Sequence, residues 1–269
     1  MASTQTDFDS NTAQHPEDEY ISGSAEEIGG QMTLVEHLDE LRKRIFICAI
    51  AVVILSVVAF IFYNPILKFL LLPLPVTANE FSLAAGHPKL VVTGVGEGFS
   101  VVLKLSVAVG LALAAPVWLY QVWAFFYPAL TKKEKRYAFP FMLIGVGLFI
   151  AGLAVGFVTL RFPIQWLIGF GQSTFTELIS ADSYFTFVAF FLLAFGVVFE
   201  LPLILTFLAM VGIVNSAYLK KNRMYILIGL WLISTIITPG SDPYSPIILS
   251  VALTVLFFIS ELLIRFIGK

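Results

Sequence analysis

The sequence predicts an all-α membrane protein with six transmembrane helices and both termini in the cytoplasm. Three observations carry that prediction. First, 58% of the 269 residues are hydrophobic and 13% are charged, against about 25% charged in a soluble domain. No globular core hides that much apolar surface, so lipid is the solvent for most of the chain. Second, the apolar residues fall into six blocks, 45–63, 99–127, 137–160, 184–211, 224–238 and 247–264, separated by polar or Pro-rich links. A crossing takes roughly 20 such residues. It must be helical, because hydrocarbon offers an unpaired backbone group nothing to bond to. Third, 12 of the 16 Lys and Arg residues sit in alternate links, which places those links and both termini on the cytoplasmic side.

Residues 1–30 hold seven of the 18 acids and no Lys or Arg. Polar, Ser/Thr-rich and aperiodic, they read as a disordered acidic cytoplasmic tail. They lack the basic start and apolar core of a secretory signal. The six-span domain then covers 31–269. The second and fourth blocks, 99–127 and 184–211, are long enough to tilt or to project past the bilayer. The fifth, 224–238, has 15 residues, and the sixth has 14 from Ile247 before Glu261 interrupts it. Both are read as short spans of about 21–23 Å against a core of about 30 Å. "PILKFLLL" after the first block and "FPIQWLIGF" after the third are too short to cross and read as interfacial helices. The single cysteine, Cys48, has no partner for a disulfide, and no Cys/His group has metal spacing.

Charges inside apolar blocks are candidate functional groups, because lipid makes them costly. Glu200, in "FGVVFELPL", lies well inside the fourth block, and Pro202 beside it breaks the helix. That pairing reads as a docking point at membrane depth. Glu97 and Lys104 flank the start of the second span and read as anchors. Asp242, in "TPGSDPYSP", suits a tight turn, and Glu261 stands four residues before Arg265, ion-pair spacing on a helix.

The stretch "EHLDELRKR", residues 36–44, packs six formal charges into nine residues ahead of the first span. On a helix its basic end orients that span. The acids are the oddity, because an anionic leaflet favours basic residues. Glu134 repeats the oddity inside the basic link "LTKKEKR". Two carboxylates ringed by cations suit a cationic ligand that needs specific placement.

"EHLDELRKR", "APVWLYQVWAFFYPALTKKEKR", "AFGVVFELP" and "TPGSDPYSP" together, in that order and spacing, resemble the TatC family, the multispanning receptors of the twin-arginine protein translocase. The resemblance covers residues 32–265 and implies a concave six-helix bundle in a bacterial cell membrane or a thylakoid membrane. It implies no enzyme activity and no cofactor. The implied function is binding of twin-arginine signal peptides at the cytoplasmic face. With small single-span partners of the TatA and TatB type, the family exports folded proteins at the expense of the proton-motive force. Self-association in a larger complex follows from the same likeness, and nucleic acid does not enter. Matched positions assign signal-peptide binding to Glu40, Glu134, Arg42, Pro73 and Phe125. They assign an intramembrane polar and partner role to Glu200, Thr238 and Asp242. The chain departs from the family at Pro246, where some relatives carry a glutamine, which shifts that polar contact towards Thr238. A proton-coupled secondary transporter is the alternative reading; it calls for a second central acid or an inverted repeat, and the sequence shows neither.

Overall fold

The computed structural model describes residues 34–74, 90–126, 138–170, 179–238 and 242–266, and these are helical apart from short links and one bridge. The chain divides into residues 1–43 and 44–269. The acidic tail read at 1–30 and the loop bearing Glu134 lie outside the described residues.

α1 (Leu34–Ile61) carries the charged stretch straight into the first apolar block as one 28-residue helix. α2 (Tyr63–Leu70) follows after Phe62 and is the short helix expected from "PILKFLLL". The second block is bent. α3 (Glu97–Leu113) and α4 (Ala115–Phe126) meet at Ala114 with 51° between them. The cause is Pro116, which has no N–H to donate and whose ring crowds the carbonyl four residues back. Trp118 Nε1 donates to the Leu111 carbonyl at 3.2 Å beside the break. The single long span expected of this block is therefore two helical pieces, and the signal for it is a proline inside an apolar run.

α5 (Ala138–Thr159) leads into α6 (Arg161–Gly169) through one residue, and the pair reads as a single apolar stretch, Pro140–Gly169, of 30 residues. The helix expected at "FPIQWLIGF" therefore extends the third block. The fourth block is α7 (Ala181–Val198) and α8 (Leu201–Met210), broken at Phe199 and Glu200 as Pro202 requires. A short helix, α9 (Ser216–Lys221), is capped by Asn215, whose side chain accepts from Tyr218 N at 2.7 Å. α10 (Arg223–Ile237) is the fifth block, and its 15 residues fit the expected short span.

The sixth block corrects its expectation. α11 (Tyr244–Phe266) runs 23 residues, about 34 Å, and Glu261 does not interrupt it. The acid is 4% exposed at its side chain and held by two arginines: Arg223 Nη2 donates to both its oxygens at 2.7 and 2.8 Å, and Arg265 Nη2 donates to Oε1 at 2.6 Å. A neutralised carboxylate costs the helix little. The Glu261–Arg265 pair is legible from its spacing. Arg223, 38 residues away, is not.

By length and composition, four described helical stretches suffice to cross a membrane, and the bent α3–α4 pair makes five if counted as one span; α10 is shorter. The core lies where α7 meets α3 and α5 and where α11 meets α8 and α10. Phe191, Phe195, Phe149 and Phe257 are each at most 1% exposed. Close approach depends on Gly110, where a Cβ would overlap Ser56 of α1. At one end, Tyr184 Oη donates to the Leu70 carbonyl at 2.7 Å, tying α2 to α7. A single parallel bridge joins Val91 to Ser180. Glu97 closes the same corner, accepting from Thr93 N and Oγ1, Gly94 N and Ser180 Oγ at 2.5–3.0 Å. Lys104 Nζ meets both oxygens of Asp182 at 2.8 and 3.1 Å, so this pair latches α3 to α7.

Candidate functional site

The break between α7 and α8 presents the most unusual group in the interior. Glu200 is 4% exposed, and neither of its side-chain oxygens has a hydrogen-bond partner among the described residues. Its backbone is occupied: Glu200 N donates to the Val197 carbonyl at 3.1 Å, and its own carbonyl accepts from Ile204 N at 3.0 Å. The carboxyl lies against Gly145 of α5, where a Cβ would stand 3.3 Å from Oε2 and 2.9 Å from Leu203 Cδ2. Leu203 belongs to a cluster with Trp123 and Met210, against which Phe141 and Phe207 pack. Trp123 meets Phe207 edge-on at 5.3 Å. Glycine at 145 thus leaves room for an acid inside an aromatic and aliphatic wall. A buried polar group without a partner costs on the order of 1–3 kcal/mol. It calls for an explanation beyond packing.

A second polar seam runs between α10 and α11. Ser234 Oγ meets Ser250 Oγ and also the Pro246 carbonyl at 3.3 Å, and Trp231 Nε1 donates to Thr254 Oγ1 at 3.2 Å. Thr238 caps α10, its N and Oγ1 both donating to the Ser234 carbonyl. Pro246 sits in the first turn of α11, where no intrahelical N–H is needed. Its carbonyl supplies the polar contact at this position. Asp242 is 4% exposed and caps α11, accepting from Ser245 N and Oγ, each at 2.7 Å. Asp242 thus closes a tight turn, with its oxygens facing the helix they start.

The other expected site residues are placed as follows. Glu40 is on α1, half-buried, with Oε2 at 4.0 Å from His37 Nδ1, and Arg42 is exposed on the same helix. Pro73 is half-buried in the turn after α2, and Phe125 is half-buried in the last turn of α4. Glu134 lies outside the described residues. Thr238 and Pro246 share Ser234 as a neighbour. Among residues that no sequence motif singles out, Gln121 accepts from Arg44 Nη1 at 3.1 Å, and Ser234, Ser250, Asp182 and Arg223 make the cross-helix contacts above. Their partners lie 12 to 78 residues away, beyond any local pattern.

Fold and site define a multi-pass α-helical membrane protein with a buried acid inside one of its long apolar stretches. Residues 36–251 match the family model described as Sec-independent protein translocase protein (TatC). The TatC protein of Carboxydothermus hydrogenoformans is 35% identical over 237 residues, covering 88% of this chain and 94% of that one. That of Escherichia coli K12 is 36% identical over 241 residues, covering 88% and 90%. A crystal structure titled twin arginine translocase receptor TatC superposes with a TM-score of 0.72 at 32% identity, covering 87% of this chain and all of that one. The chain belongs to the TatC family. It is a membrane component of Sec-independent protein translocation, not an enzyme, and its place is the bacterial inner membrane or the thylakoid membrane.

Proposed function

We propose that this chain is the signal-peptide receptor of a twin-arginine translocase. The observation that supports it is the likeness, over 87% of the chain, to a solved twin-arginine translocase receptor. In this reading Glu40 and Glu134 each take one guanidinium of the arginine pair, and Arg42, Pro73 and Phe125 border the site. The arginine fork engages a carboxylate through two bonds, which lysine cannot copy. Nearby Arg42, Lys43, Lys132, Lys133 and Lys135 repel basic peptides that lack the right placement.

Glu200 receives the polar group of a single-span partner of the TatA or TatB type, supported by its buried oxygens, which have no partner among the described residues. Thr238 lies on the same partner surface, and Asp242 contributes through the turn it caps. The proton-motive force drives export of the folded cargo. The six crossings are the four long stretches, the bent α3–α4 pair and α10, with both termini cytoplasmic.

The test is photocrosslinking of a labelled twin-arginine signal peptide to membranes holding the full chain. Glu40→Gln with Glu134→Gln is expected to lower crosslinking at least about tenfold while the protein still inserts. Undiminished crosslinking in the double variant sinks the two-carboxylate site.

A further inference from the structure

Between α3 and α7 runs an apolar groove of about 650 Å³, not lined by Glu200 or by the α10–α11 seam. Buried Leu105 and Phe185 form its floor, and exposed Val107 and Phe190 form its walls. Its charged lining residues are Lys104 and Asp182, the ion pair at one end, with side chains 55% and 37% exposed. Glu97 stands behind them, its Oε1 accepting from Asp182 N at 3.4 Å. The mouth thus carries two carboxylates against one ammonium.

The dimensions select the occupant. Along α7 the groove runs from residue 182 to 193, about 16 Å. A helix is about 11 Å across with its side chains, far broader than an extended acyl chain. A single acyl chain is narrow enough to lie inside. The charges select the headgroup. A net negative mouth disfavours an anionic lipid. An ethanolamine ammonium brings three N–H donors to the carboxylates, whereas a choline brings none. Lys104 spends two donors on Asp182, which leaves a third for a phosphate.

We propose that this groove is a phospholipid site that holds one acyl chain between α3 and α7, with an ethanolamine phosphate headgroup seated on Lys104 and Asp182. The site does not depend on the signal-peptide reading.

The experiment uses the full chain in mild detergent with an equimolar mixture of ethanolamine, choline and glycerol phospholipids of matched acyl chains. Native mass spectrometry reads what stays bound. One ethanolamine lipid is expected, enriched about tenfold over the other two. Ala189→Trp, which fills the groove, and Val107→Trp, at its exposed wall, are expected to lose it. Lys104→Ala with Asp182→Ala keeps the apolar lining while removing the charged pair, and is expected to retain lipid without headgroup preference, so the proposal stays testable if a tryptophan variant fails to fold. Equal retention in the wild type and the folded tryptophan variants overturns the proposal, and so does a preference for the glycerol headgroup. Efficient disulfide crosslinking in native membranes from Thr186→Cys to a single-span partner or to a second copy of this chain overturns it as well, because the occupant is then protein.

Discussion

Glu200 shows how much a single side chain reveals through its position in the chain. An acid deep inside an apolar block is conspicuous, and the fold buries it without a side-chain partner among the described residues. Replacement by leucine removes an unsatisfied group and is expected to leave thermal stability unchanged or raise it by up to about 2 kcal/mol. Co-purification of a single-span partner falls in the same variant; wild-type recovery of the partner counts against the docking role. The contrast is Glu261, equally buried but clamped by two arginines. Its link to Arg265 is readable from helical spacing, whereas its link to Arg223 requires the fold. Lys104 and Asp182, 78 residues apart, are hidden for the same reason: sequence patterns report neighbours on one helix, not partners across helices.

At the scale of elements, apolar periodicity and length locate the helices, and prolines decide where they break. Pro202 marks the α7–α8 break in the sequence itself. Pro116 marks the 51° bend between α3 and α4 equally well, but a run long enough to tilt as one span masks it. The sixth block looks short in sequence because an acid stands near its end, yet that charge is cancelled by a neighbouring helix. Removing that cancellation is the matching prediction. Arg223→Ala leaves Glu261 with Arg265 alone and is expected to lower stability by about 1–2 kcal/mol, short of the ~3–5 kcal/mol for a fully buried pair because Arg223 is partly exposed. Thermal unfolding in detergent, followed by circular dichroism, measures it. Ser234→Ala tests the seam beside it. Loss of its contacts to Ser250 and Pro246 is expected to cost about 1 kcal/mol, and an unchanged midpoint would assign that seam to packing alone.

At the scale of the whole molecule, composition and charge are enough to name lipid as the solvent, and four ordered motifs are enough to suggest the family. What they leave open is depth. α10 spans about 22 Å and its neighbour α11 about 34 Å, so two helices packed side by side ask for different bilayer thicknesses. Mismatch costs fractions of a kcal/mol per Å. The full chain is expected to be more stable in bilayers of 14-carbon than of 20-carbon lipids, and a midpoint independent of chain length would show that α10 does not sense thickness.

The corner at Glu97 bears on biogenesis. Its carboxylate gathers donors from residues 93–94 and from Ser180, so two stretches made far apart in time must meet to complete it. A nascent chain that ends before residue 180 already has the second helix and its local donors, but lacks the clasp from Ser180 that ties this entrance to the fourth block. The tie between the second and fourth apolar blocks at this corner is therefore completed only once residue 180 has been made.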